Sequence, residues 1–66
     1  MLYRLLTGED DSAFCHKVTA ALDKGWVLHG SPAYAWDAGA GVMRCAQAVT
    51  KTTDAPYDPN RRLGEQ

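Results

Sequence analysis

The chain has no excess of positive charge. Seven Lys and Arg stand against eight Asp and Glu, a net charge of −1. That balance lacks the electrostatic footprint of a protein that tracks phosphate backbones or anionic lipid. There is no apolar run near the ~20 residues a membrane helix needs. The opening MLYRLLTGEDD also lacks the ~7–15-residue apolar stretch of a secretory leader, so a cytoplasmic location is expected. Cysteine is scarce: Cys15 and Cys45 are the only two, and in a reducing cytosol such residues are free thiols that pack as small apolar groups. Internal repeats and low-complexity tracts are missing. The glycine-rich DAGAG at 37–41 is no phosphate loop, because neither a helix nor a Gly-Lys-Ser/Thr ending follows it.

What is present is a short, ordinary globular composition, 45% hydrophobic and 23% charged over 66 residues. One domain is the only sensible division. A core of that size supplies about 3–5 kcal/mol of net stability, and small domains commonly add a disulfide, a metal or a second subunit.

Leu2 to Thr7 (LYRLLT) alternates around Arg4 and suits a strand, although its leucines also suit a helix. After Gly8, GEDDS offers Asp10, Asp11 or Ser12 as a helix N-cap. From Ser12 to Lys24 the period is helical, with Phe14, Val18, Ala21 and Leu22 on one face. Gly25 sits where a left-handed residue closes a helix. Trp26 to Asp37 reads as a strand interrupted at Gly30-Ser31-Pro32, since Pro32 has no N–H for a ladder; the faces of Tyr34 and Trp36 stay open. Val42 to Lys51 is a third strand, in which volume favours Met43, Cys45, Gln47 and Val49 as the helix-facing set. The Gln47 amide would then need a buried partner. Residues 52–66 are polar with little periodicity and read as a disordered or loosely attached tail.

These elements predict a single α+β domain over residues 1–51, in the order β-α-β-β. One helix packs on a three-stranded antiparallel sheet of order 1-3-2, with the third strand between the other two. The second sheet face has no element to cover it, and alternation offers Leu2, Leu6 and Val27 as its apolar residues. Such a face commonly marks a contact with another molecule, and a homodimer is its simplest occupant. Trp26 is expected to fill the space between helix and sheet, its N–H bonded to a backbone acceptor.

The segments LYRLLTGEDDSAFCHKV, KGWVLHGSP and RCAQAVTK resemble the small, mostly bacterial domain of unknown function 1737 family, in order and spacing, over residues 1 to about 51. Ala46 departs mildly from the small residue, often glycine, that the family places between the late Cys and Gln. The resemblance implies no established activity and carries no catalytic residue across.

Candidate chemistry is thin. Cys15, His16, His29 and Cys45 supply two Cys and two His, but zinc ligands usually come in close C-x2–4-C and H-x3–5-H pairs. Cys15 and His16 are helix neighbours that point ~100° apart. A nucleophilic Cys15 has no base facing it and no orienting third group. Glu9-Asp10-Asp11 lacks EF-hand spacing and suits capping. Exposed aromatics could stack bases, yet Arg4, Arg44 and Lys51 make too sparse a basic surround for nucleic acid. No catalytic residue, metal or cofactor is expected. The expected function is a non-enzymatic interaction or homo-oligomerisation module using the helix-free sheet face. The alternative is a small-ligand-binding or catalytic protein with a site at a subunit interface. His29, Trp36 and Arg44 are the candidate contacts in either case.

Overall fold

Alternation decides the first element. Leu2 and Leu6 are buried while Tyr3 and Leu5 are each 54% exposed, which is the two-residue period of a strand. In the computed structural model, which describes residues 1–66, that strand is β1 (Leu2–Glu9). It is followed by α1 (Ser12–Asp23), β2 (Val27–Asp37), β3 (Val42–Lys51) and a single 3₁₀ turn at Leu63–Glu65. The sheet is antiparallel with order β1-β3-β2, so the fold is the α+β, β-α-β-β arrangement that the sequence implies.

Local chemistry sets both ends of α1. Asp11 is the N-cap: its Oδ1 accepts the backbone N–H of Phe14 at 3.1 Å, taking up one of the orphan donors of the first turn. At the other end Gly25 has φ +95°. Its N–H donates to Leu22 O and that of Trp26 to Ala21 O, both at 3.1 Å. This is the paired closure of a Schellman motif, with Trp26 and Ala21 as its apolar contact. The helix therefore delivers the indole directly into the core. Ala21, buried, and Phe14 and Val18, partly buried, form the core-facing stripe; Leu22, expected beside them, is 41% exposed.

The irregularity in β2 has a defined size. His29 pairs with Ala48 and Ala33 with Ala46. Four steps along β2 thus oppose two along β3, and Gly30, at φ +73°, helps absorb the excess. Two extra residues preserve parity, so Tyr34 and Trp36 share the helix side with Leu28. Gln47 lies opposite the bulge. Its amide nitrogen sits 3.4 Å from His29 O, 3.3 Å from Gly30 O and 2.9 Å from Ala48 O. The buried amide thus finds its partners in two carbonyls at the bulge and in the carbonyl of its neighbour Ala48.

The core comprises Leu2, Leu6, Ala21, Trp26 and Val49, with Phe14, Val18 and Leu63 packed against it. Two expectations are corrected here. Leu2 and Leu6 lie under the helix, not on the bare face. The Trp26 Nε1–H has no hydrogen-bond acceptor; Arg4 and Lys51 lie against the ring instead, their charged groups 5.3 and 5.8 Å from its centroid. The segment after Lys51 also does more than trail from the sheet. Leu63 adds to the core, and the Gln66 side chain ties Asp58 to Arg61 through hydrogen bonds of 3.0–3.1 Å.

Two outcomes follow from this packing. Replacing Gln47 by leucine should cost about 1–3 kcal/mol by stranding the bulge carbonyls, read as a lower urea midpoint with an unchanged slope. Deleting residues 53–66 should leave helix and sheet folded but remove about 1–2 kcal/mol, because it takes only the partly buried Leu63 from the core. Loss of amide dispersion on truncation would contradict the second.

Candidate functional site

The side of the sheet away from α1 carries the odd-numbered residues of β1 and the even-numbered residues of β3. Strand register arranges them in rows. Tyr3, Thr50 and Val27 form one row; Leu5, Ala48 and His29 the next; then Thr7, Ala46 and Ala33; then Glu9, Arg44 and Ala35. Tyr3, Leu5 and Val27 are 54%, 54% and 63% exposed. Ala46 and Ala48 run between them as a shallow floor. One end of the face is thus apolar, and its charge is confined to the other.

At the charged end Arg44 binds two acids. Its Nε donates to Asp37 Oδ2 at 3.1 Å and its Nη1 lies 3.9 Å from Glu9 Oε1. Asp37 also closes the β2–β3 turn, where its Oδ1 accepts the N–H groups of Gly39 and Ala40 at 3.1 and 3.2 Å. The Arg44 guanidinium, then the Ala40 and Gly39 amides, hold the Asp37 carboxyl below the usual aspartate range. On the helix side, Tyr34 donates to Asp10 Oδ2 at 2.6 Å, and this bond to a carboxylate raises the phenol above its ordinary value. Burial, then Asp10, Cys15 and Asp11, raise the Cys45 thiol. That direction favours the thiol over the thiolate that a nucleophile or metal ligand needs. No group of three or more His, Cys, Asp or Glu is placed to hold a metal ion.

The three candidate contacts do not converge. His29 and Arg44 share the helix-free face, but His29 pairs with Ala48, four residues along β3 from Arg44, a separation of ~13 Å. Trp36 pairs with Met43 on the opposite side. There it lines a shallow depression of about 310 Å³ with Glu9, Asp10, Gly41, Val42 and Met43. Leu5 is the exposed residue that sequence reasoning passed over; Tyr3 beside it was weighed only as an aromatic that could stack on bases. Gly8 carried the missing signal. A Cβ there would lie 3.1 Å from the Phe14 ring, and glycine within a strand often marks close approach of another element. Gly8 therefore puts even-numbered positions of β1 under the helix.

A second depression, of about 290 Å³, lies between α1 and β2, lined by Phe14, Cys15, Val18, Leu28, Pro32 and Gln47 among others. It is open, and Gln47 is already engaged with the bulge carbonyls. No helix is long and apolar enough to cross a membrane.

The model of the domain of unknown function DUF1737 matches residues 1–52, most of the chain and all four major elements. The chain belongs to the DUF1737 family. No curated protein and no solved structure shows significant similarity to it. The DUF1737 match ends where β3 ends, so the bulge, the Gln47 amide and the bare face all belong to the family segment, while Leu63 and Gln66 lie beyond it.

The Asp37–Arg44 contact gives a pH prediction. A carboxyl with a depressed folded-state pKa contributes stability above its unfolded value and loses it as pH falls through the folded one. Arg44→Gln should raise the Asp37 titration midpoint in a carbon-detected NMR titration and blunt the fall in stability on the acid side. An unmoved Asp37 would assign the depression to the turn amides alone.

Proposed function

We propose that this DUF1737 protein is a non-enzymatic interaction module that pairs with a second copy of itself through the helix-free sheet face. The surface area carries the reading. A folded chain of 7.2 kDa is expected to expose about 4,100 Å², whereas this one exposes 4759 Å² and buries only six of its 66 residues. The excess, about 600 Å², approaches the ~800 Å² that a standard interface removes from each partner. Shape agrees with area. The molecule measures 41 × 22 × 19 Å with a radius of gyration of 13.1 Å, against ~11 Å for a compact chain of this length.

The exposed apolar side chains cluster where a partner sheet would seat them. Tyr3, Leu5 and Val27 rim the alanine floor, and His29 stands at its edge. The free thiols of Cys15 and Cys45 suit a reducing cytoplasm, where we place the protein. The ligand-binding or catalytic alternative draws less support, because His29, Arg44 and Trp36 lie on separate parts of the sheet.

Light-scattering mass at two protein concentrations tests the proposal. The parent chain should pass from monomer toward dimer, and Leu5→Glu, on the exposed face, should stay monomeric while keeping a cooperative melt. A parent that remains monomeric at the higher concentration would remove the reading.

A further inference from the structure

The two thiols, idle in self-association, share one corner of the helix side. Where α1 crosses β1, a Cβ on Gly8 would lie 3.1 Å from the Phe14 ring and 3.4 Å from Phe14 Cβ. With carbon–carbon bonds of ~1.5 Å, the helix and strand Cα atoms there come within ~6.5 Å. Cys45 faces Gly8 across the β1–β3 ladder, one strand closer to β2. Cys15 follows Phe14 and turns the same way, lining the α1–β2 depression with Leu28, Pro32 and Gln47. The step from Phe14 to Cys15, ~3.8 Å, and the step from Gly8 to Cys45, ~4.5–5.5 Å, thus both lead toward β2. They leave Cys15 over Cys45 at about the Gly8–Phe14 separation, inside the ~4.4–6.8 Å between Cα atoms that a disulfide spans.

Electrostatics agrees with that placement. Cys15 is one of the groups that raise the Cys45 thiol, after burial and Asp10, an influence that fades beyond ~10 Å. Both thiols are free; Cys15 is exposed and Cys45 partly buried. An oxidant arriving from solvent therefore meets Cys15 first.

We propose that Cys15 and Cys45 form a reversible redox pair, which a small-molecule disulfide such as oxidised glutathione converts to an intrachain disulfide tying the first turn of α1 to β3. The Cys15 thiolate attacks one sulfur of the oxidant and releases the first glutathione thiolate. The Cys45 thiolate then attacks the Cys15 sulfur of the mixed disulfide and releases the second. Two electrons pass from the cysteine pair to the oxidant, and the two cysteine protons go to the released thiolates. Its raised thiol makes Cys45 a slow nucleophile toward solvent, but it has only to attack a sulfur held beside it. In a reducing cytosol such a bond is transient, as redox-sensing disulfides are. The pair lies on the helix side of the sheet and is independent of self-association.

The test incubates the full-length chain with oxidised glutathione at two protein concentrations and reads intact mass and melting temperature. The parent should lose two hydrogens without retaining glutathione, at a rate independent of protein concentration, and dithiothreitol should restore it. Peptide mapping should find Cys15 joined to Cys45. Closing that loop should raise the melting temperature by about 10 °C or more. Cys45→Ser should stop with one glutathione on Cys15. A parent that stops at mixed disulfides, stays reduced, or links only to other copies would overturn the proposal. So would an intrachain bond that fails to raise the melting temperature, since it would have closed in an opened chain. Should Cys45→Ser unfold, the parent's mass, map and melting temperature decide the matter.

Discussion

A twelve-residue helix is ~18 Å long, whereas β2 and β3, at eleven and ten residues, extend over ~33–36 Å before twist and bulge shorten them. One such helix can shield only part of one face of a three-stranded sheet. Most of what is unusual about the molecule follows from that mismatch. The buried core collects where the helix reaches, around Val49, Leu2 and Leu6. Tyr34 and Trp36, on the covered side by parity, project beyond the helix and remain 60% and 62% exposed. The opposite face has no cover at all.

The end of the helix compensates in part. Because Gly25 turns the chain sharply, the largest side chain enters the core immediately after the last helical turn, and Trp26 fills volume that a 66-residue chain has few other means to fill. Its buried N–H lacks an acceptor, at a cost of about 1–3 kcal/mol. Arg4 and Lys51 lie over the ring, and Leu63 packs against the same core. The segment beyond the family match thus contributes at the point where the helix runs out, which is why Leu63 packs inward although its neighbours are polar.

Residues whose backbone role is local were legible from sequence. Asp11 as a cap needs only a side-chain oxygen at the right offset, and Gly25 as a helix stop needs only its freedom at positive φ. One short hairpin and one helical crossover allowed the order β1-β3-β2 but did not choose it over a parallel β1–β2 pairing; the pairing of β1 with β3 makes that choice. Face assignment was harder. In β1, Leu2, Leu5 and Leu6 are chemically equivalent, and volume alone could not choose between parities; the choice was made by Gly8, whose missing side chain lets Phe14 approach. In β2, parity depended on whether the bulge held one extra residue or two, which composition does not encode. The tail misled for a different reason. Leu63 is a single apolar residue, and one residue has no period.

The proposed self-association would place a geometric demand on the bare face. A two-fold interface is isologous, so the patch must complement itself. The alanine floor between Leu5 and His29 meets that demand when the axis passes near Ala46 and Ala48. Each copy can then lay Tyr3, Leu5 and Val27 against the low centre of the other, with sheets ~10 Å apart. Moving the axis toward Arg44 would bring two guanidiniums together, and Glu9 and Asp37 would have to neutralise both while losing water. Such desolvated arrangements gain little over apolar packing. In the proposed dimer the charged end would work against alternative registers, leaving the alanine-centred one as the arrangement that buries the exposed apolar side chains and keeps the ion pairs wet.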